Sequence, residues 1–219
     1  TRIATMNNRR GNNIPYNIFG GVIFSRRDRE DLQQLEDLRN QRFMAVDETS
    51  LGGFQMAWRE LKTKGIDPYQ DFSALIFGGI HDDVVIAVLN GNVDVGTVRT
   101  DILERMAAAG TVQLDDFRII NPQTNAEFPF AHSTRLYPEW PFSKVRHVHN
   151  DLAQQVAIAL LQRPAEHSAA LMGNYAGWTI PRDYEPVHEL FRELNLPPYQ
   201  LPTRFTLWDA VKRYRYWLV

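Results

Sequence analysis

Residues 43–53 have the sequence FMAVDETSLGG, and they join a short apolar strand pattern to a helix pattern. The apolar start of this stretch favours a strand, and Phe54, Ala57 and Leu61 recur at the spacing of one helix face in the segment that follows. Polar residues and glycines connect the two patterns. A strand, a polar loop and an amphipathic helix in this order are the repeating unit of an α/β sheet.

The same alternation continues outward from this unit in both directions. Further strand patterns lie at 18–25, 74–77, 93–98, 117–120 and 128–133. Further helix patterns lie at 32–38, 81–90, 100–109, 152–161, 184–194 and 205–219. After Pro141 the chain becomes mainly helical. The pattern therefore predicts an α/β sheet that is followed by a helical part.

The composition is that of a globular protein with a substantial core. The chain has 219 residues, 26 acidic against 24 basic side chains, and 44% hydrophobic residues. This near-neutral balance argues against a general nucleic-acid binder. Cysteine is absent, which excludes disulfides, thiolate zinc sites and cysteine nucleophiles. The sequence contains neither a signal-peptide pattern nor a run of roughly 20 apolar residues.

The loop at 47–53 is the first candidate binding site. Thr49, Ser50, Gly52 and Gly53 stand where a strand passes into a helix, and backbone N–H groups at a helix start favour an anion. An alternative interpretation is that Thr49 or Ser50 caps the helix while the glycines allow a tight turn. The loop lacks the Gly-Lys-Ser/Thr order of a nucleotide-binding loop.

Two later strand-to-helix junctions also carry polar residues. His81 follows the strand pattern at 74–77 and could donate a hydrogen bond to an oxyanion, or it could belong to a capping cluster. Arg99 follows the next strand pattern and supplies donors for an oxyanion, whereas Asp101 could be structural. Ligands of open α/β sheets bind beyond the carboxyl ends of strands, so the three junctions together predict a binding site.

Catalytic interpretations are weaker. Ser50, His81 and Asp94 could be drawn as a triad, but the sequence has no Gly-x-Ser-x-Gly elbow and the order matches no familiar arrangement. His147 and His149 have a spacing found in metal sites but no third ligand nearby in the sequence. We therefore predict no catalytic residue, no metal and no cofactor for this segment.

Several separated motifs resemble a known family. Residues 23–104 resemble the phosphonate-binding members of the type II periplasmic substrate-binding proteins, on the segments LEDLRNQRF (35–43), the loop 47–53, His81-Asp82 and NGNVDVG (90–96). A subgroup, the extracytoplasmic sensor domains of bacterial histidine kinases including the tetrathionate-sensor type, is closer still. The segments that carry this second resemblance are GGVIF (20–24), TVRTDILERM (97–106), STRLYPEWP (133–141) and GWTIP (177–181).

The resemblance implies an α/β fold of two lobes that close on an anion about a hinge. In that family a loop of hydroxyl residues and glycine holds the phosphonate, and Thr49, Ser50, Gly52 and Gly53 stand at that loop here. His81 stands at an assisting histidine and Asp101 at a carboxylate that can meet a ligand ammonium. Leu51 replaces a hydroxyl donor and Arg99 adds a positive charge, which makes a different oxyanion, such as one of sulfur, credible.

The resemblance also implies a division of the chain. Residues 1–19 and 131–204 correspond to part of the first lobe with hinge strands, and 20–130 correspond to the second lobe. Roughly the first third of the first lobe, which the family has before the equivalent of Thr1, is expected to be missing. The pattern at 205–219 fits either an ordinary amphipathic helix or, by the resemblance to sensors, the approach to a membrane-spanning segment beyond Val219.

Two functions follow as expectations. The preferred one is the ligand-sensing domain of a membrane-bound sensor histidine kinase, on the periplasmic side of the bacterial inner membrane, with a phosphonate, phosphate or sulfur oxyanion as ligand. The alternative is the binding component of an ABC transporter for phosphonate or a related anion. An incomplete lobe could expose apolar surface, so a homodimer is a further possibility.

Overall fold

The computed structural model describes residues 1–9 and 15–200. The strands are β1 (Arg2–Arg9), β2 (Pro15–Tyr16), β3 (Ile18–Phe19), β4 (Gly21–Arg26), β5 (Arg42–Ala45), β6 (Ala74–Phe77), β7 (Val95–Arg99), β8 (Phe117–Ile120), β9 (Tyr137–Pro138), β10 (Pro141–Ser143) and β11 (Tyr175–Thr179). The α-helices are α1 (Met56–Thr63), α2 (His81–Leu89), α3 (Ile102–Ala108), α4 (Asn150–Leu161), α5 (Ser168–Met172) and α6 (Glu185–Glu193). A π-helical turn at Leu51–Gln55 leads directly into α1, and 3₁₀ turns lie at Leu35–Leu38 and Leu114–Asp116.

Five strands form what we call the large sheet, in the order β6-β5-β7-β4-β8. Strand β5 is parallel to β6 and β7, whereas β4 is antiparallel to β7 and β8. Side chains alternate between the faces: Val22 and Phe24 join a cluster with α2 and α3, and Ile23 joins a cluster with α1. Because helices cover both faces, the central strands β4 and β7 are buried almost throughout.

Four strands form the small sheet, in which β1 pairs with β10, β11 and β2. All of these pairings are antiparallel, and the register of β1 shifts against both β10 and β11. The small sheet joins segments that lie far apart in the sequence, since Thr5 pairs with Pro141 on one side and Thr179 on the other. Helix α4 packs against this sheet.

A two-stranded pair, β3 with β9, lies between the two sheets along the chain. Phe19 of β3 and Tyr137 of β9 share a buried cluster with Met56 of α1 and with Leu190 and Leu194 near the end of the chain's described part. Helix α6 therefore packs against both α1 and the β3–β9 pair. Phe19 also reaches the loop before α1, which places the pair beside the candidate site.

The strand patterns at 43–46, 74–77 and 117–120 are confirmed to within one residue at each end. The strand predicted at 128–133 is wrong: Phe128 and Phe130 pack with Tyr16 in an aromatic cluster, and only His132 pairs, in an isolated bridge with Gln123. The helix predicted at 32–38 is reduced to a 3₁₀ turn. The part after Pro141 also contains strands, which the helix pattern did not predict. The helix predicted at 205–219 lies outside the described residues.

Candidate functional site

The loop after β5 is held by hydrogen bonds within itself. The Oδ1 atom of Asp47 accepts hydrogen bonds from the Thr49 hydroxyl at 2.6 Å and from the Thr49 backbone N–H at 2.8 Å. The bond from the Thr49 hydroxyl, followed by that from its N–H, holds the pKa of Asp47 below its usual value. Both donors of Thr49, its hydroxyl and its backbone N–H, thus bind Asp47, so the Thr49 side chain fixes the shape of the loop.

Ser50 caps the helix that follows. Its Oγ accepts a hydrogen bond from the backbone N–H of Gly53 at 3.2 Å, as an N-cap side chain does. This confirms the capping interpretation for Ser50. Accepting that bond does not consume the hydroxyl proton, which can therefore still be donated to a ligand.

The two glycines of the loop are required by close packing. A Cβ atom on Gly52 would lie 2.9 Å from Cε2 of Phe19, and one on Gly53 would lie 2.6 Å from Cγ2 of Val46. A Cβ atom does not normally approach a carbon atom this closely. The glycines therefore let the start of the helix lie directly against β3 and the end of β5.

His81 begins α2 beyond the end of β6. Its Nδ1 accepts a hydrogen bond from the backbone N–H of Arg99, with 3.3 Å between the nitrogen atoms. This bond places the proton of the neutral ring on Nε2. The ring is thus oriented by the end of β7, and it presents an N–H donor rather than an acceptor on its other nitrogen.

Arg99 ends β7 and is already paired with carboxylates. Its guanidinium forms an ion pair with Glu139, which is fully buried, and its Nε lies 3.8 Å from Oδ1 of Asp101. The guanidinium also lies over the ring of Phe19, 4.3 Å from the ring centroid. Asn8 donates a hydrogen bond to Oε1 of Glu139 at 3.1 Å. The positive charge predicted for an anion is therefore balanced within the protein.

Asp101 lies behind Arg99. It occupies the N-cap position of α3 with a left-handed backbone, at φ 76°, and it is buried, but its side chain makes no capping hydrogen bond. Its carboxylate faces Arg99, which the sequence interpretation did not foresee.

A cavity of about 300 Å³ lies where these junctions meet. Of the predicted residues, Thr49, Ser50, Gly52, Gly53, His81 and Arg99 line it. The other lining residues, which the sequence analysis did not predict, are Phe19, Leu51, Gln55, Trp140 and Phe191. These additions are mainly apolar and aromatic, so the cavity combines polar groups on one side with an aromatic wall.

The aromatic wall comes from distant parts of the chain. The rings of Phe19 and Trp140 stack with centroids 6.4 Å apart and planes inclined by 21°. Phe19 is buried, whereas 57% of Trp140 remains exposed. One of these lining residues, Gln55, could have been singled out from the sequence, because it is a polar residue beside the apolar helix positions at Phe54 and Ala57.

Among residues 1–9 and 15–200, no group of three or more His, Asp or Glu side chains is placed to hold a metal ion. No helix within them is long and apolar enough to span a bilayer.

Comparison with known proteins relates the chain to binding proteins and to a sensor. A family model described as "ABC transporter, phosphonate, periplasmic substrate-binding protein" matches residues 2–185. The tetrathionate sensor histidine kinase of Salmonella typhimurium is 29% identical over 218 residues. The match covers 99% of this chain and 34% of that protein, so the chain spans about a third of the length of this relative.

Two solved structures share the fold. PhnD1 from Prochlorococcus marinus, in complex with methylphosphonate, has 16% sequence identity and a TM-score of 0.62, over 89% of this chain and 72% of its own. A binding protein component of an ABC phosphonate transporter from Pseudomonas aeruginosa has 16% identity and a TM-score of 0.63, over 98% and 70%. At these identities the likeness shows the fold alone.

Proposed function

The chain belongs to the family of periplasmic substrate-binding proteins of phosphonate ABC transporters, and we propose that it is the ligand-sensing domain of a membrane-bound sensor histidine kinase. The predicted α/β fold of the type II periplasmic binding proteins is confirmed by this membership and by the two solved structures. The proposed ligand is a small oxyanion, namely a phosphonate, a phosphate or a sulfur oxyanion. For this segment we propose binding without catalysis.

The observation that carries the proposal is the cavity at the carboxyl ends of β5, β6 and β7. Each of these strands leads into a loop or helix that contributes to the wall, through Ser50, His81 and Arg99. Ligands of open α/β sheets bind at this edge of the sheet. The Ser50 hydroxyl, the His81 Nε2–H and the N–H groups at the start of the Leu51–Gln55 turn can donate to an oxyanion.

The sensor role is supported by the Salmonella relative, which matches almost the whole chain. In this proposal, closure of two lobes on the anion moves the C-terminal segment and hence a membrane-bound signalling part. A ligand drives such a change only through its different affinity for the open and closed states. We propose residues 20–130 as one lobe, 1–19 and 131–204 as the other, and β3 with β9 as the hinge between them.

The alternative is the binding component of an ABC transporter for phosphonate or a related anion, which the family description favours. Both functions use the same cavity and place the domain on the periplasmic side. The gene decides between them: an apolar run of about 20 residues after Val219 supports a membrane-anchored sensor, and a stop codon there supports the transporter component. The proposed membrane-proximal role of 205–219 depends on the same observation.

The ligand proposal is tested with a panel of phosphate, methylphosphonate, aminoethylphosphonate, sulfate, thiosulfate and tetrathionate in a thermal-shift assay. Selective stabilisation of the chain by one anion is expected, since a ligand that binds only the folded state raises the unfolding temperature. Ser50→Ala combined with His81→Ala should abolish this response without unfolding the protein. Ser143→Ala combined with His149→Ala, at exposed positions, is the control and should keep it.

A response that survives the Ser50 and His81 substitutions would remove these residues from the site. No response of the unmodified chain to any of these anions would contradict the oxyanion proposal.

The homodimer stays a prediction. Exposed apolar side chains, among them Leu171, Met172 and Ile180, provide surface for it, and sedimentation analysis over a concentration series tests it.

A further inference from the structure

Gln55 is a buried polar residue in the cavity wall with half of its amide unused. It ends the π-helical turn, and only 7% of its surface is exposed. Its Nε2 donates a hydrogen bond to the backbone oxygen of Glu48 at 3.1 Å. Its Oε1 has no hydrogen-bond partner among the residues that the structure describes.

Because Nε2 of Gln55 donates to Glu48, the end of the amide that is left without a partner among the described residues is Oε1. If the amide were reversed, Oε1 would face the Glu48 carbonyl oxygen and two acceptors would meet. The unpartnered end of the Gln55 side chain is therefore an acceptor, not a donor, and Gln55 belongs to the lining of the cavity. A buried acceptor without a partner destabilises the protein, and a ligand that supplies an N–H or O–H removes that cost.

The charges around Arg99 lead to the same conclusion from a separate observation. The guanidinium of Arg99, which lines the cavity, pairs with two buried carboxylates that do not line it, Glu139 and Asp101. Arg99 thus brings no surplus positive charge to the cavity wall to neutralise a multiply charged anion. An anion that retains a proton carries less charge and also brings the donor that Gln55 lacks.

Given the proposed function, on which this inference rests, we infer that Gln55 selects the ligand. Its Oε1 accepts a hydrogen bond from an O–H or N–H group of the bound oxyanion. The site therefore prefers oxyanions that carry such a donor, such as a hydrogen phosphonate or hydrogen phosphate, over oxyanions without one, such as sulfonates and sulfate. A deprotonated oxygen at this position would set two acceptors against each other.

Methylphosphonate and methanesulfonate are a matched pair of probes for this inference. Below the second ionisation of methylphosphonate both ions carry a single negative charge and have the same shape, and only methylphosphonate has an O–H. We expect the chain to bind methylphosphonate about tenfold more tightly in isothermal titration. Gln55→Leu should bring the two affinities together by weakening methylphosphonate alone, whereas Gln55→Glu, which keeps an acceptor, should preserve the preference.

Gln154→Leu, at an exposed position of α4, is the control and should leave both affinities unchanged. A second arm needs no substitution: methylphosphonate binding should weaken as the pH rises through its second ionisation, while methanesulfonate binding should not follow that ionisation. Equal binding of the two probes, tighter binding of methanesulfonate, or a preference that persists in Gln55→Leu would overturn the inference and leave the proposed function standing. Failure of both probes to bind the unmodified chain would overturn the inference, and the proposed function would fall with it only if the anions of the thermal-shift panel also gave no response.

Discussion

The large sheet has helices on both faces and fully buried side chains such as Phe24 and Phe43 between them, whereas the small sheet is covered thinly. Beside the small sheet, Ala153 is the buried residue of α4 and Ala170 that of α5. Apolar burial therefore stabilises the large sheet far more than the small one. The difference shows that two sheets of one chain can depend on different interactions.

A network of buried polar groups lies beside the small sheet. The Tyr184 hydroxyl donates to the backbone oxygen of Glu139 at 2.5 Å and lies 3.0 Å from the Thr5 hydroxyl of β1. The side chain of Glu139 in turn pairs with Arg99 at the end of β7. This network connects the small sheet to the large sheet next to the cavity.

The largest effect is expected from removing a core ring of the large sheet. Phe43 is fully buried and stacks on Phe72 with ring centroids 4.6 Å apart. Phe43→Ala should lower the free energy of unfolding by about 4 kcal/mol in urea titration, because it removes apolar contacts and leaves a cavity. Leu152→Ala, on the exposed face of α4, should change it by less than about 0.5 kcal/mol. Similar losses in the two variants would show that α4 is covered in solution.

The polar network should be next in effect. Glu139→Gln should lower the free energy of unfolding by about 3 kcal/mol, because it leaves the buried guanidinium of Arg99 with Asp101 alone. Glu189→Gln is the matched control, since Glu189 pairs with Arg135 at 2.8 Å on the surface, and it should cost less than about 1 kcal/mol. Equal costs would mean that burial adds nothing to the Arg99 pair.

A smaller, pH-dependent effect is expected at Asp94, before β7. The side chain of Arg42 donates to the Asp94 carboxylate, and this bond is the main reason that the pKa of Asp94 lies well below its usual value; Arg29 adds a bond at 2.7 Å. A lowered pKa in the folded state stabilises the protein above about pH 4, where the unfolded carboxyl is ionised, and this contribution disappears as the pH falls further.

Asp94→Asn should therefore cost about 1.5 kcal/mol of unfolding free energy at neutral pH, and the difference from the unmodified protein should shrink towards acid pH. Urea titrations at several pH values measure it. Asp151→Asn, at an exposed position of α4, should stay within about 0.5 kcal/mol of the unmodified protein throughout. A constant difference at all pH values would rule out ionisation of Asp94 as its cause.

The sequence predicted the large sheet well because its strands and helices follow local patterns. Strands β5, β6 and β8 are short apolar runs between polar turns, and β5 pairs with the two strands that follow it along the chain. The small sheet could not be predicted in this way, since Thr5 pairs with Pro141 and Thr179 and its strands are short. The strand predicted at 128–133 failed because its aromatic residues form a cluster with Tyr16 instead of a sheet.

The residues of the candidate site differ in the same way: some could be predicted from local patterns in the sequence and others could not. Ser50, His81 and Arg99 could be predicted together because the ends of neighbouring strands meet at one edge of a sheet. The partner of Arg99 could not, because Glu139 lies 40 residues further along the chain and carries no local signal. Trp140 reaches the cavity from the same distant segment. Side chains that arrive from remote segments depend on tertiary packing, which periodicity does not encode.

The stacking of Trp140 on Phe19 gives the protein an intrinsic fluorescent probe. The indole is more than half exposed to solvent at the rim of the cavity. Indole emission moves to shorter wavelength when water is excluded from the ring, so a molecule that enters and covers Trp140 changes the colour of the emitted light. Occupancy can then be followed in real time by stopped-flow mixing, and Trp140→Phe separates this signal from the emission of the other tryptophans.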